Sequence, residues 1–98
     1  MPARTAKLYG IVRADLTPGL RTAQVGHALI QWALEHGEPP ENLVILRVAD
    51  LPALERLRES LGEGRIVAFR EPDLGGDLTA LAAGPEFWRA LGALPLLR

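Results

Sequence analysis

Leu16-Thr17-Pro18-Gly19-Leu20-Arg21-Thr22-Ala23-Gln24-Val25-Gly26-His27-Ala28-Leu29-Ile30-Gln31-Trp32-Ala33-Leu34 carries one formal charge, Arg21, and its reading decides the fold. A helix this apolar is largely covered by protein. Thr17 is an N-cap residue type, and Pro18 suits the first helical position, where its missing N–H costs nothing. Gly37 and the Pro39-Pro40 pair stop the helix, so the spacing predicts a run to Glu35 or His36. Within it Arg21, Gln24, His27 or Ala28, and Gln31 follow the i, i+3, i+7, i+10 rule and share one face. Polar side chains on a covered helix need partners. The polar stripe is therefore a candidate site.

Working outward, Lys7-Leu8-Tyr9-Gly10-Ile11-Val12 reads as a strand that is apolar on both faces, with Arg13 to Asp15 at its carboxyl end. On the other side, Leu43-Val44-Ile45-Leu46-Arg47-Val48 is a near-continuous apolar run suited to a sheet interior. Asp50 caps a second helix with Pro52 in its first turn. Its Leu51, Leu54, Leu57 and Leu61 face inward, its Glu55, Arg56, Arg58 and Glu59 face water, and Gly62 and Gly64 end it. Arg65 to Phe69 is a third strand, Glu71 to Asp77 a turn-rich loop, and Leu78 to Ala83 a fourth strand. Gly84-Pro85 opens a third helix that buries Phe87, Trp88 and Leu91. The order β-α-β-α-β-β-α predicts one domain over residues 1–98, a three-layer α/β sandwich with a mixed four-stranded sheet. Short crossovers predict that parallel neighbours dominate, with one antiparallel pair allowed by the Phe69 to Thr79 connection.

Bulk composition narrows the chemistry. Of the 98 residues, 48% are hydrophobic and 23% charged, as in ordinary globular domains. The net charge of −1 supplies no global attraction to nucleic acid, so any RNA contact must come from a local group of arginines. There is no cysteine, which removes disulfides, thiolate nucleophiles and cysteine metal ligands. His27 and His36 do not have a ligand spacing, and neither a metal nor a cofactor is expected. No G-x-G-x-x-G or P-loop pattern occurs, and Gly75-Gly76 is too short to cradle a phosphate. No apolar run approaches the ~18 residues of a membrane helix, and Met1 to Lys7 lacks a signal-peptide layout. The expectation is a cytoplasmic protein with no membrane contact. The charge-poor helix and the apolar end Ala93-Leu94-Pro95-Leu96-Leu97 predict a homodimer.

Sites in α/β sheets form at strand ends. The loops Asp15 to Gly19 and Glu71 to Asp77 are therefore expected to meet. Together they would bring Asp73 and Thr79 near the start of the first helix, where Arg21, Gln24 and His27 project. An acid, a hydroxyl and an imidazole suffice for water activation and oxyanion support. Each residue also has a structural reading. His27 can be a hydrogen-bonded histidine of the fold, Gln24 can satisfy a carbonyl, Asp73 after Pro72 is a common turn residue, and Thr79 is ordinary strand composition. Trp32 and Trp88 read as core or subunit contact.

Taken in order, Ile11-Val12-Arg13-Ala14-Asp15-Leu16, Ala23-Gln24-Val25-Gly26-His27-Ala28, Arg70-Glu71-Pro72-Asp73 and Leu78-Thr79-Ala80-Leu81-Ala82-Ala83-Gly84-Pro85 resemble the type 2 peptidyl-tRNA hydrolase family. The resemblance runs from Leu8 to Leu97, and Gln-x-x-His-Ala is its most specific piece. It implies an α/β sandwich with a mixed sheet, often dimeric, that hydrolyses the ester joining a peptide to the terminal ribose of tRNA. Position by position, it implies His27, Asp73 and Thr79 as the catalytic groups. Asp73 or His27 would orient or deprotonate water, and Thr79 would hold water or the ester oxygen. Gln24 would fix the helix or the substrate amide, and Arg13, Arg21 and Arg70 would contact phosphate. The family pattern has a lysine in the loop before the glutamine; Leu20 stands there in this chain. The family's earlier threonine, a few residues past the aspartate, has no counterpart. The alternative is a non-catalytic RNA- or protein-binding domain on the same fold.

Overall fold

The computed structural model describes residues 6–97. Its strands are β1 (Lys7–Arg13), β2 (Asn42–Val48), β3 (Ile66–Glu71) and β4 (Asp77–Ala83). Its helices are α1 (Pro18–His36), α2 (Leu51–Leu61) and the single turn α3 (Trp88–Leu91), and the strand and helix order is β-α-β-α-β-β-α. The sheet order is β2-β1-β4-β3. α1 begins at Pro18 as its sequence predicts and closes with the Gly37 N–H on the Ala33 carbonyl; α2 is capped by the Asp50 carboxylate on the Ala53 N–H at 3.0 Å.

Only β1 and β2 pair in parallel; β4 lies between β1 and β3 and is antiparallel to both. The expected dominance of parallel neighbours is thus reversed. The cause is the short β3–β4 connection, a 3₁₀ turn at Pro72–Leu74 followed by Gly75 and Gly76, both at positive φ. That link turns the chain straight back, and β4 then fills the slot beside β1. The third helix is also shorter than expected. Pro85–Phe87 is a 3₁₀ turn ahead of α3; Leu91 is buried, whereas Phe87 and Trp88 are only partly so.

Two apolar layers enclose the sheet. Leu8 and Val12 of β1 and Ala80 and Ala82 of β4 meet Val25, Ala28 and Trp32 of α1. On the other face, Tyr9 and Ile11 of β1 and Leu81 and Ala83 of β4 pack with Leu54 of α2 and Leu91 of α3. α1 approaches β1 so closely that a Cβ on Gly10 would lie 2.7 Å from Val25 Cγ2 and 3.0 Å from Ile45 Cδ1. The carboxyl-terminal stretch is not a free apolar end. The Arg47 N–H donates to the Pro95 carbonyl at 3.0 Å and the Leu97 N–H to the Ile45 carbonyl at 2.9 Å, so the tail covers the outer edge of β2. Among the described residues no helix is long and apolar enough to cross a membrane.

The close approach at Gly10 yields a paired expectation. Gly10→Ala overpacks the α1 layer and should destabilise the protein by about 1–3 kcal/mol. Gly26→Ala, where a Cβ meets nothing within 4 Å, should stabilise α1 by about 0.5–1 kcal/mol. Urea unfolding of the two variants checks both signs.

Candidate functional site

Because β1, β2 and β3 run one way and β4 the other, the carboxyl ends of three strands, the amino end of β4 and the start of α1 gather at one end of the sheet. The register of β4 slips there. Phe69 pairs with Ala80, but the next residue, Arg70, pairs with Leu78, which leaves Thr79 as the extra residue of a β-bulge. Strict alternation would aim Thr79 at the α2 layer, away from Ala80. The bulge instead lets Thr79 face α1 and turns Leu78 into the α2 layer.

Thr79 is 0% exposed, and its Oγ1 donates to Gln24 Oε1 at 2.6 Å. Gln24 is 2% exposed, and its Nε2 donates to Glu71 Oε2 at 2.8 Å. Glu71 Oε1 accepts the Asp73 N–H at 3.2 Å. A polar chain therefore leads from the interior through α1 to a half-buried carboxylate at the end of β3. Hydrogen bonds from Gln24 and then from the Asp73 N–H pull the Glu71 carboxyl below its ordinary range, partly opposed by burial, and the proximity of His27 adds the smallest pull.

His27 is exposed, and its ring stacks on Phe69 with centroids 5.0 Å apart and planes 10° from parallel. The expected stripe of α1 thus divides. Gln24 and Ala28 face the sheet, while His27 and Gln31 lie open to solvent. Asp73 is exposed in the 3₁₀ turn, and it joins the chain through its backbone N–H rather than its carboxylate.

The arginines do not form one group. Arg13 donates through Nε and Nη2 to the Asp15 carboxylate at 3.0 and 2.9 Å and through Nη1 to the Leu78 carbonyl at 3.3 Å. Its Nη1 also lies 4.0 Å from Asp77, and the bond to Arg13 pulls the Asp15 carboxyl below its usual range. Arg70 points to the other face of the sheet and pairs with Glu55 of α2 at 3.2 Å. The Arg21 side chain, in the first turns of α1, makes no hydrogen bond or ion pair among the described residues; its backbone N–H donates to the Thr17 carbonyl at 2.8 Å. The structure brings Gln24, His27 and Thr79 to one side of the sheet and leaves Arg13 and Arg70 committed elsewhere.

Glu71 and Phe69 are the neighbours that sequence reasoning missed. A signal for Glu71 exists in Pro72, since a residue before proline favours extended backbone and so continues the strand. With Glu71 in β3, Val67, Phe69 and Glu71 alternate onto the α1 face.

The Gly84-Pro85 corner lies at the opposite end of the sheet. There Trp32 Nε1 donates to the Arg65 carbonyl at 2.7 Å, the Gly84 N–H reaches the same oxygen at 3.0 Å, and Arg65 pairs with Glu86. A groove of about 430 Å³ between the end of α2 and the start of β3, lined by Arg58, Glu59 and Ile66 among others, is also remote from Gln24 and Thr79. No protein-family model matches the chain, and a search of curated proteins finds no match.

The depressed Glu71 titration has a stability consequence with a definite sign. Its folded value lies below its unfolded one, near the ordinary ~4.3, so the carboxylate stabilises the fold above that pH. The stabilisation is lost as pH falls through the folded value. Wild type should therefore lose more stability than Glu71→Gln between pH 6 and pH 3, as measured by denaturant unfolding at each pH.

Proposed function

We propose that this protein is a compact, cytoplasmic ester hydrolase of the peptidyl-tRNA hydrolase type. The observation that carries the reading is the polar chain Thr79–Gln24–Glu71, which ends beside a solvent-open imidazole, His27, at the end of the sheet where α/β folds keep their sites. The ordered motifs of the resemblance run through the same residues.

In this reading water attacks the ester carbonyl and gives its proton to His27, or to Asp73 on the rim. The tetrahedral intermediate collapses with cleavage of the bond to the ribose oxygen. That oxygen takes the proton back, releasing a peptide carboxylate and a tRNA with a free ribose hydroxyl. Thr79 serves from behind. It is fully buried and its one hydroxyl proton is used on Gln24, so it holds the helix side of the site. Among the described residues, Arg21 is the cation beside the site left for a phosphate.

One observation favours a second reading, a protein-binding domain on this fold. Asp15, Asp50, Glu71, Asp73 and Asp77 gather near the site, and Arg13 is spent on two of them. A polyanion gains little there.

Assembly as a homodimer belongs to the same proposal. Ile30 and Leu34 on the outer flank of α1 are 63% and 75% exposed, and Leu43 on β2 is 53% exposed. Leu29 and Ile45 both approach Gly10, so the apolar surface runs from α1 toward β2. An exposed apolar surface of this kind suits a two-fold contact with a second copy.

Release of free tRNA from a purified peptidyl-tRNA tests the activity. Wild type should turn over, His27→Ala should lose about a hundredfold or more, and Asp73→Asn should abolish the reaction without unfolding the protein. A folded wild type with no turnover transfers the weight to the binding domain. For assembly, wild type should sediment as a dimer at micromolar concentration and the double variant Ile30→Glu, Leu34→Glu as a folded monomer; a monomeric wild type removes the dimer.

A further inference from the structure

Glu71 is the outer end of a hydrogen-bond chain. The direction of that chain gives it a further role. Thr79 has one hydroxyl proton and donates it to Gln24 Oε1, which fixes the orientation of the Gln24 amide. The amide nitrogen must then face outward, where it donates to Glu71 Oε2 at 2.8 Å. The Asp73 N–H holds the other oxygen at 3.2 Å. Both carboxylate oxygens are anchored, each with acceptor capacity left over.

His27 lies one turn beyond Gln24 on α1, and its ring rests on Phe69, two residues before Glu71 on the same face of β3. The pairs Gln24–Glu71 and His27–Phe69 are thus adjacent rungs between one helix and one strand. Stacking covers a face of the imidazole and leaves both ring nitrogens free at its edge. An imidazole acts as a directed base when a carboxylate holds one N–H and the second nitrogen stays available.

We propose that Glu71 is a positioning residue for His27. It directs one ring nitrogen toward the sheet end so that the other faces solvent as the base of the site, and Thr79 and Gln24 serve to hold Glu71 in place. The inference rests on the hydrolase reading for what the base acts on, and on the structure alone for the Glu71–His27 pairing.

The pairing can be read without substrate. Diethyl pyrocarbonate acylates a neutral imidazole nitrogen, and peptide mass spectrometry separates His27 from His36. In Glu71→Gln the amide oxygen can still accept from Gln24, so the fold is kept while the charge is removed. The expected result at pH 8 is a threefold or greater slowing of His27 acylation in Glu71→Gln, with His36 unchanged and Glu71→Asp recovering most of the rate. An unchanged His27 rate in folded Glu71→Gln overturns the pairing, whatever the protein hydrolyses. With peptidyl-tRNA, kcat should fall at least tenfold in Glu71→Gln while KM stays within twofold, and Glu71→Asp should regain part of kcat. A KM effect alone overturns the positioning role. If wild type shows no turnover, the hydrolase reading fails by itself and the acylation result still decides the pairing.

Discussion

Two uncharged polar side chains, Gln24 and Thr79, are buried between α1 and the sheet, and neither can be left unpaired. A buried donor or acceptor without a partner costs about 1–3 kcal/mol, a large share of the stability of a domain this small. They satisfy each other at 2.6 Å, and that bond constrains what surrounds it. It requires the bulge in β4, because a regular strand would aim Thr79 at the α2 layer. It also orients the Gln24 amide, which anchors Glu71 and, through Glu71, the turn that carries Asp73. The interior decides the geometry of the rim.

Most of the architecture was legible in the sequence because it is local. Thr17-Pro18 and Gly37 bound α1, Asp50 and Gly62 bound α2, and apolar runs mark the strands. The pairing was not, since the insertion of β4 between β1 and β3 depends on where a five-residue connection sends the chain. The site was half legible. Gln24 stands out as a polar residue in a charge-poor helix, and it is buried and bonded. His27 was grouped with it because i+3 and i+4 both neighbour position i. The helix places Ala28 against the sheet instead, and His27 rotates out onto Phe69. Glu71 looked like a loop residue because it heads a run of proline, aspartate and glycine. Thr79 was legible as a residue, but its direction depends on a register slip that no spacing rule reveals.

The two ends of the sheet divide the work. At one end Trp32, Arg65, Gly84 and Glu86 form a closed corner in which the Arg65 carbonyl accepts two N–H groups and the Arg65 side chain lies over Trp32 at 5.5 Å. Gly84 belongs there for space, since a Cβ would press on the Glu86 carboxylate and lie 3.1 Å from the Trp32 ring. The Gly84-Pro85 part of the family resemblance is therefore architecture, and only the Gln24, His27, Asp73 and Thr79 part bears on chemistry. Thr79 and Gly84-Pro85, close in sequence, lie at opposite ends of the sheet.

Charge then limits how a tRNA could be held. Arg13 is bound by Asp15, Arg70 by Glu55 and Arg65 by Glu86, which leaves Arg21 as the uncommitted arginine beside the site among the described residues. One cation corresponds to roughly one phosphate contact and a correspondingly shallow salt dependence. A substrate bound here would be recognised through its peptide and ester, whose N–H groups suit the acids of the rim, rather than through its backbone phosphates. Leu20, where the resembled pattern has a lysine, adds no cation to the rim. The same arrangement supports two readings: under the proposed function, a rim that gripped the peptide end of peptidyl-tRNA would present the same acceptors to a peptide carrying no tRNA, and the proposed Glu71–His27 pairing would separate holding from hydrolysis.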